Sequence, residues 1–241
     1  FWIGKHPVTR EQWAALMNKV EIDEIDKALG GMKAPMTFVS GSDIAEFCRN
    51  LKRRLRGSIP KDYVFRLPTD AEWEYASRGG SDDPEDLHYS YSCSPELRSL
   101  VAVFNNEKQA IVAKAGITNI PKDRAWFLGP STVCTKKPNG WGIYDMIGNV
   151  DEWVMDRFPI ESPDGAYRKS GEIVLDAIDY KPVETDPLRW HDKLDATGIV
   201  RANVANGYPG VRRFCTPSSR FRIIGFRVVL GPDLEKERQS A

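Results

Sequence analysis

Two long stretches of this chain carry almost no periodic pattern, and they limit what it can fold into more than any other feature. Residues 81–137 hold turn formers, Pro121 and Pro130, and short apolar clusters such as "SLVAVF" and "AIVA"; residues 156–198 are rich in Asp, Pro, Gly and Lys. Both predict irregular structure with short strands. Loops of this length are uncommon inside a compact domain, so something other than strand ladders has to order them. A bound metal would serve.

Regular elements are predicted around these stretches. "TREQ" sets Thr9 and Gln12 at capping-box spacing, ahead of Trp13, Leu16 and Met17 on one helical face. In "SGSDIAEFCRNLKRRLRG", Ser42 or Asp43 is read as the cap; Ile44, Phe47, Cys48, Leu51 and Leu55 recur at helical spacing, and Gly57 stops the run. "RLPTDAEWEYASRGG" offers a second box, Thr69 with Glu72, with Trp73 and Ala76 facing inward and Gly79 and Gly80 closing the helix. Near the end "IIGFRVVL" (223–230) reads as one buried strand whose glycine marks a close backbone approach.

Charge narrows the partners. Lys plus Arg and Asp plus Glu number 34 each in 241 residues, so no global field recruits nucleic acid or an anionic membrane. No apolar run approaches the roughly 20 residues that span a bilayer. Cys48, Cys93, Cys134 and Cys215 lack any CxxC or metal-ligand spacing and are read as buried thiols, and His6, His88 and His191 lie far apart. Compartment is left open.

"FWIGKHPVTREQW", "RLPTDAEWEYASRGG", "PNGWGIYDMIGNVDEW" and "GFRVV" stand in order along the chain. In sequence and spacing they resemble the formylglycine-generating enzyme, or sulfatase-modifying factor, family. The resemblance runs from Phe1 to about Leu230, which sets a domain at 1–231 and a charged tail at 232–241; the strand pair with which family members usually begin is not in the sequence. It implies an α+β, C-type-lectin-like fold with little regular secondary structure, a small antiparallel sheet and flanking helices.

The resemblance also implies a structural calcium. Family members bind it with a side-chain oxygen at the position of Asp145, main-chain carbonyls at Gly148 and Val150, and the carboxylate at Glu152. The chemistry is sound, because Ca²⁺ takes about 6 to 8 oxygen ligands and accepts carbonyls and carboxylates together. Gly148 would let the chain bend, and Trp141 and Trp153 are expected to anchor the two ends in the core.

Catalysis in the family implies two cysteines, five residues apart, that bind Cu(I); soft thiolates suit that ion. Here the matching segment reads "IVRANVANGYPGVRRFCTPSSRFRIIGFR" and the two positions fall near Val204 and Pro209. Cys215 stands a few residues too late, so copper is not expected. The helical domain that carries iron-binding histidines in the related sulfoxide synthases has no counterpart in the sequence.

What remains is a binding surface before the last strand, formed by Arg201, Asn203, Asn206, Tyr208, Arg212, Arg213, Phe214, Ser218, Arg220 and Arg222. Tyr and Arg anchor interfaces, while Ser and Asn adapt their hydrogen bonds. The segment between Ala202 and Gly231 has no acid, so it suits a protein, a peptide or a small acidic ligand. Diversity-generating retroelements display variable residues on this same region of related domains. Arg227, inside "GFR", reads instead as a structural ion-pair partner, with Arg213, Arg220 and Arg222 divided between the two roles. Two alternatives stand beside this reading: a copper-dependent oxidase acting on a sulfatase cysteine, and an accessory module of a larger signalling or cell-surface protein.

Overall fold

A computed structural model describes residues 1–17, 20–80, 105–122, 127–159, 173–174, 196–201 and 212–234; at 105, 157–159, 173–174, 196–201 and 212–214 only the backbone is described. Strand β1 (Trp2–Ile3) is followed by helices α1 (Arg10–Ala14), α2 (Glu24–Leu29) and α3 (Gly41–Arg54), strand β2 (Tyr63–Arg66), and helices α4 (Asp70–Arg78) and α5 (Asn105–Lys114). Strands β3 (Asp151–Pro159), β4 (Ile173–Val174), β5 (Ala196–Arg201), β6 (Arg212–Cys215), β7 (Ile224–Phe226) and β8 (Val229–Pro232) complete the described chain.

The strands form two sheets, of which the smaller is the expected small antiparallel one. One has the order β1-β8-β2 and is antiparallel; the other has the order β4-β6-β5-β3-β7, with β3 and β7 parallel. The stretch "IIGFRVVL" therefore splits. Ile224–Phe226 pairs with Asp151–Trp153, while Val229 and Leu230 pair with β1 and β2 in the other sheet. The predicted close approach at the glycine is present, since a Cβ on Gly225 would lie 2.9 Å from the Met36 carbonyl oxygen. β8 runs to Pro232.

Helix starts follow local hydrogen bonding. Capping boxes close at Thr9 with Gln12 and at Thr69 with Glu72, as read. α3 starts earlier than expected: Ser40 is the cap and Asp43 sits at N3, returning its carboxylate to the Ser40 amide at 2.8 Å. Leu55, at the C-cap, is exposed, because the helix stripe has by then rotated away from the core. α2 has its own box, Asp23 with Asp26, and a buried pair from Arg10 to Asp26 at 3.0 Å ties α1 to it.

α5 was not expected. "NNEKQAIVAK" lies within a stretch read as irregular, yet it is a helix whose buried side chains include Lys108 and Val112, with Ile111 exposed. Such an inverted pattern hides a helix from a periodicity reading.

The core joins both sheets and α3. Trp13, Phe47 and Phe226 meet as one aromatic group, with Trp13 stacked on Phe47 at 5.4 Å and Phe226 edge-on to both. Trp153, fully buried, donates its indole N–H to the Val39 carbonyl. Trp141 does not anchor its end of the motif as expected. It is 46% exposed, packs edge-on against Tyr75 and lies against Gly80, where a Cβ would come within 2.5 Å of its indole nitrogen.

Candidate functional site

The bend that leads into β3 is built from residues with left-handed backbone. Asp145 (φ 55°), Gly148 (φ 77°) and Asn149 (φ 60°) share this conformation, which short polar side chains and glycine tolerate best. Asn149 locks the turn to the preceding segment: its Oδ1 accepts from the Ser131 amide at 2.9 Å, and its Nδ2 donates to the Ser131 carbonyl at 3.0 Å. Asp145 Oδ2 accepts the Cys134 amide at 2.8 Å.

Glu152 lies at the foot of the bend, on β3, with no exposed surface. Arg227 reaches it from the link between β7 and β8. Arg227 Nε donates to Oε2 at 2.6 Å and Nη2 to Oε1 at 2.7 Å, while Trp73 Nε1 donates to Oε2 at 2.9 Å. The same guanidinium donates to the carbonyls of Gly4 (3.1 Å), Tyr144 (3.1 Å) and Asp145 (3.3 Å). One side chain thus joins the N-terminal strand, the bend and β3.

A second buried nitrogen enters from α5. Lys108 Nζ donates to the Asn149 carbonyl at 3.1 Å and lies 4.5 Å from the centre of the Phe127 ring. Burial pulls its amine down to about 7, against the charges of Asp145 and Asp151, which hold it up. Burial also raises the Asp145 carboxyl, with the Glu152 charge adding to the rise, while the Cys134 amide and Arg227 oppose it.

These contacts test the calcium expectation. Of the four expected ligand positions, the structure brings Asp145 and Glu152 near enough to influence each other, on one bend with Gly148 and Val150. But each Glu152 oxygen already accepts from Arg227, Asp145 Oδ2 is held by an amide, and the Gly148 carbonyl accepts the Val150 amide at 2.8 Å. Calcium needs about six or more free oxygens. Among the described residues no group of three or more His, Cys, Asp or Glu converges as a metal site. With Glu152 paired to Arg227, an ion at this bend would have to compete with the guanidinium for its carboxylate ligand.

The expected binding surface is described only in part. Asn203, Asn206 and Tyr208 lie outside the described residues, and for Arg201, Arg212, Arg213 and Phe214 only the strand positions on β5 and β6 are given. Ser218 and Arg220 are exposed and Arg222 half-buried. Arg220 forks onto Asp43 of α3 at 2.9 and 3.0 Å. Arg227 is structural, as read.

Two of the described thiols lie away from solvent. Cys48, Cys134 and Cys215 form no disulfide. Cys48 and Cys215 lie inside the apolar cluster with Trp13 and Phe226, and burial pushes the Cys48 thiol up to about 12. A metal needs the thiolate.

Comparison with known proteins now decides the family. Residues 1–231 match the sulfatase-modifying factor enzyme 1-like domain. The chain belongs to that family. The chaperone protein LppX of Paenibacillus barcinonensis is 29% identical over 83% of this chain and 76% of its own length. The inactive C-alpha-formylglycine-generating enzyme 2 of Bos taurus is 27% identical over 83% of this chain and 51% of its own. The formylglycine-generating enzyme of Mus musculus is 29% identical over 51% of this chain, which spans only 27% of that protein. Among solved structures, Treponema denticola variable protein 1 superposes over 95% of this chain and 84% of its own, with a TM-score of 0.61 at 22% identity. That likeness shows the shared fold. Among the described residues no helix is long and apolar enough to cross a membrane.

Proposed function

We propose that this chain is a non-catalytic binding domain of the sulfatase-modifying factor family, on a C-type-lectin-like scaffold, which offers residues 201–222 to a protein or peptide with an acidic surface. The observation that carries the reading is the position of Cys215. It is fully buried in the apolar core at the end of β6, and the family's two catalytic positions, near Val204 and Pro209, hold no sulfur. The likeness to a bovine protein named inactive, and to one named a chaperone, supports the same direction. Calcium is left out of the proposal because Arg227 already pairs with the Glu152 carboxylate.

Two measurements test it. Incubated with Cu(I), oxygen and a cysteine-containing sulfatase peptide, the protein leaves the peptide mass unchanged; conversion to formylglycine overturns the non-catalytic half. Titrated against a Glu- and Asp-rich peptide, it binds with an affinity that falls as salt rises, and Arg213→Glu with Arg222→Glu weakens binding about tenfold or more, as expected when desolvated charge pairs reverse sign. Binding that ignores both changes removes this surface from the reading.

A further inference from the structure

Burying a bend that gathers Asp145, Glu152 and several main-chain carbonyls creates a demand for positive charge and hydrogen-bond donors. Three side chains from distant parts of the chain bring donors to it. The guanidinium of Arg227 supplies two contacts to Glu152 and two to the carbonyls of Tyr144 and Asp145. The Lys108 nitrogen covers the Asn149 carbonyl, on the strand side of the same turn, and rests on the Phe127 ring. Trp73 completes Glu152. Lys108 and Arg227 come from elements far apart in sequence, α5 and the β7–β8 link, and both are fully buried.

We infer that the bend at 145–152 is a metal-independent knot: Arg227 and Lys108, covalently part of the chain, take the structural place that a bound divalent cation would hold in such a loop. Long solvent-exposed stems would be wasted here; the two side chains are useful because they are buried and already paired. A divalent ion added to this interior would face two buried nitrogen donors at close quarters, and would have to displace Arg227 from Glu152 to gain a carboxylate ligand. It follows that folding of this domain is indifferent to calcium, and that Lys108 ties α5 to the β3 bend through the Asn149 carbonyl. The inference does not depend on the proposed binding surface, which lies on other residues.

The test uses the unaltered protein first. Thermal unfolding in excess chelator and in millimolar calcium gives the same Tm, and calorimetric titration with calcium gives no saturable one-site uptake. A calcium-dependent rise in Tm together with one-site uptake overturns the inference. Lys108→Met then removes one nitrogen while keeping apolar bulk on Phe127. Its Tm falls by several degrees, in calcium and in chelator alike, because Arg227 still holds both Glu152 oxygens. A Lys108→Met protein with unchanged Tm, or one whose loss calcium abolishes, overturns the role given to Lys108. If that variant fails to fold, the chelator comparison on the unaltered protein still decides.

Discussion

Arg227 and Glu152, 75 residues apart in sequence, meet through contacts of 2.6 and 2.7 Å with neither side chain reaching solvent. A pair buried this completely is held by geometry as well as by charge. Removing one partner leaves an uncompensated ion in the core, which costs about 3–5 kcal/mol. Arg227→Met is therefore expected to lower unfolding free energy in urea by that amount. Arg227→Lys recovers little, because an ammonium cannot fork onto both oxygens and reach three carbonyls at once. The double variant Arg227→Met with Glu152→Met is expected to be more stable than either single one, since no lone charge remains.

A pH dependence follows from the start of α4. Burial works to raise the Glu72 carboxyl, but Arg66, forked onto it at 2.6 and 2.8 Å, outweighs burial and holds it below its ordinary value. A carboxyl depressed in the folded state stabilises above its unfolded pKa, about 4.3, and that contribution is lost as pH falls through the folded value. Urea unfolding across the acid range is expected to show a steeper loss for the unaltered protein than for Glu72→Gln. Gln keeps the capping contact to Thr69 and has no proton to take up, so equal slopes would show that other groups set the acid limb.

Much of the scaffold was legible because its signals are local. The capping boxes at Thr9 and Thr69, the inward Trp73 and Ala76, and the glycine stop at Gly79 each depend on residues within a few positions of one another. Arg227 as a fold residue was legible through "GFR" alone. What failed depends on contacts distant in sequence. Nothing within "NNEKQAIVAK" says that its lysine points inward, because the partner carbonyl is at Asn149, 41 residues on. "IIGFRVVL" reads as one strand because the pattern of alternation does not record a change of sheet at Arg227 and Val228. The donor set at Asp145 and Glu152 was visible, but the guanidinium that occupies it was not.

Cysteine accessibility gives a chemical check on the thiol assignments. Cys134 is exposed, while Cys48 and Cys215 are buried in the core, with the Cys48 thiol at about 12. In a Cys93→Ser background, a thiol-specific reagent at neutral pH is expected to modify Cys134 first, and Cys134→Ser removes that phase. The remaining two react only as fast as the protein opens. Prompt labelling of Cys215 would place a reachable sulfur near the last strand and revive the copper reading.

Asn139 offers the sharpest single-residue prediction. Its Nδ2 donates to the Ala76 carbonyl at 2.7 Å, and to that of Ser77 at 3.4 Å, at the C-terminal end of α4; its Oδ1 accepts the amides of Trp141 and Ile143, both at 3.1 Å. Helix carbonyls in that position have no partner within the helix, so the side chain takes over the role of a cap. The fit is tight, because a Cβ on Gly79 would lie 2.7 Å from Asn139 Cγ. Asn139→Ala abandons four contacts in a buried place and is expected to cost about 2–3 kcal/mol. Asn139→Asp keeps the shape but turns the two donated contacts into repulsion between oxygens, so it is expected to unfold at lower urea than Asn139→Ala at neutral pH and to recover toward it as acid protonates the new carboxyl. If Asn139→Asp instead proved as stable as the unaltered chain, the amide would not be the group that closes α4.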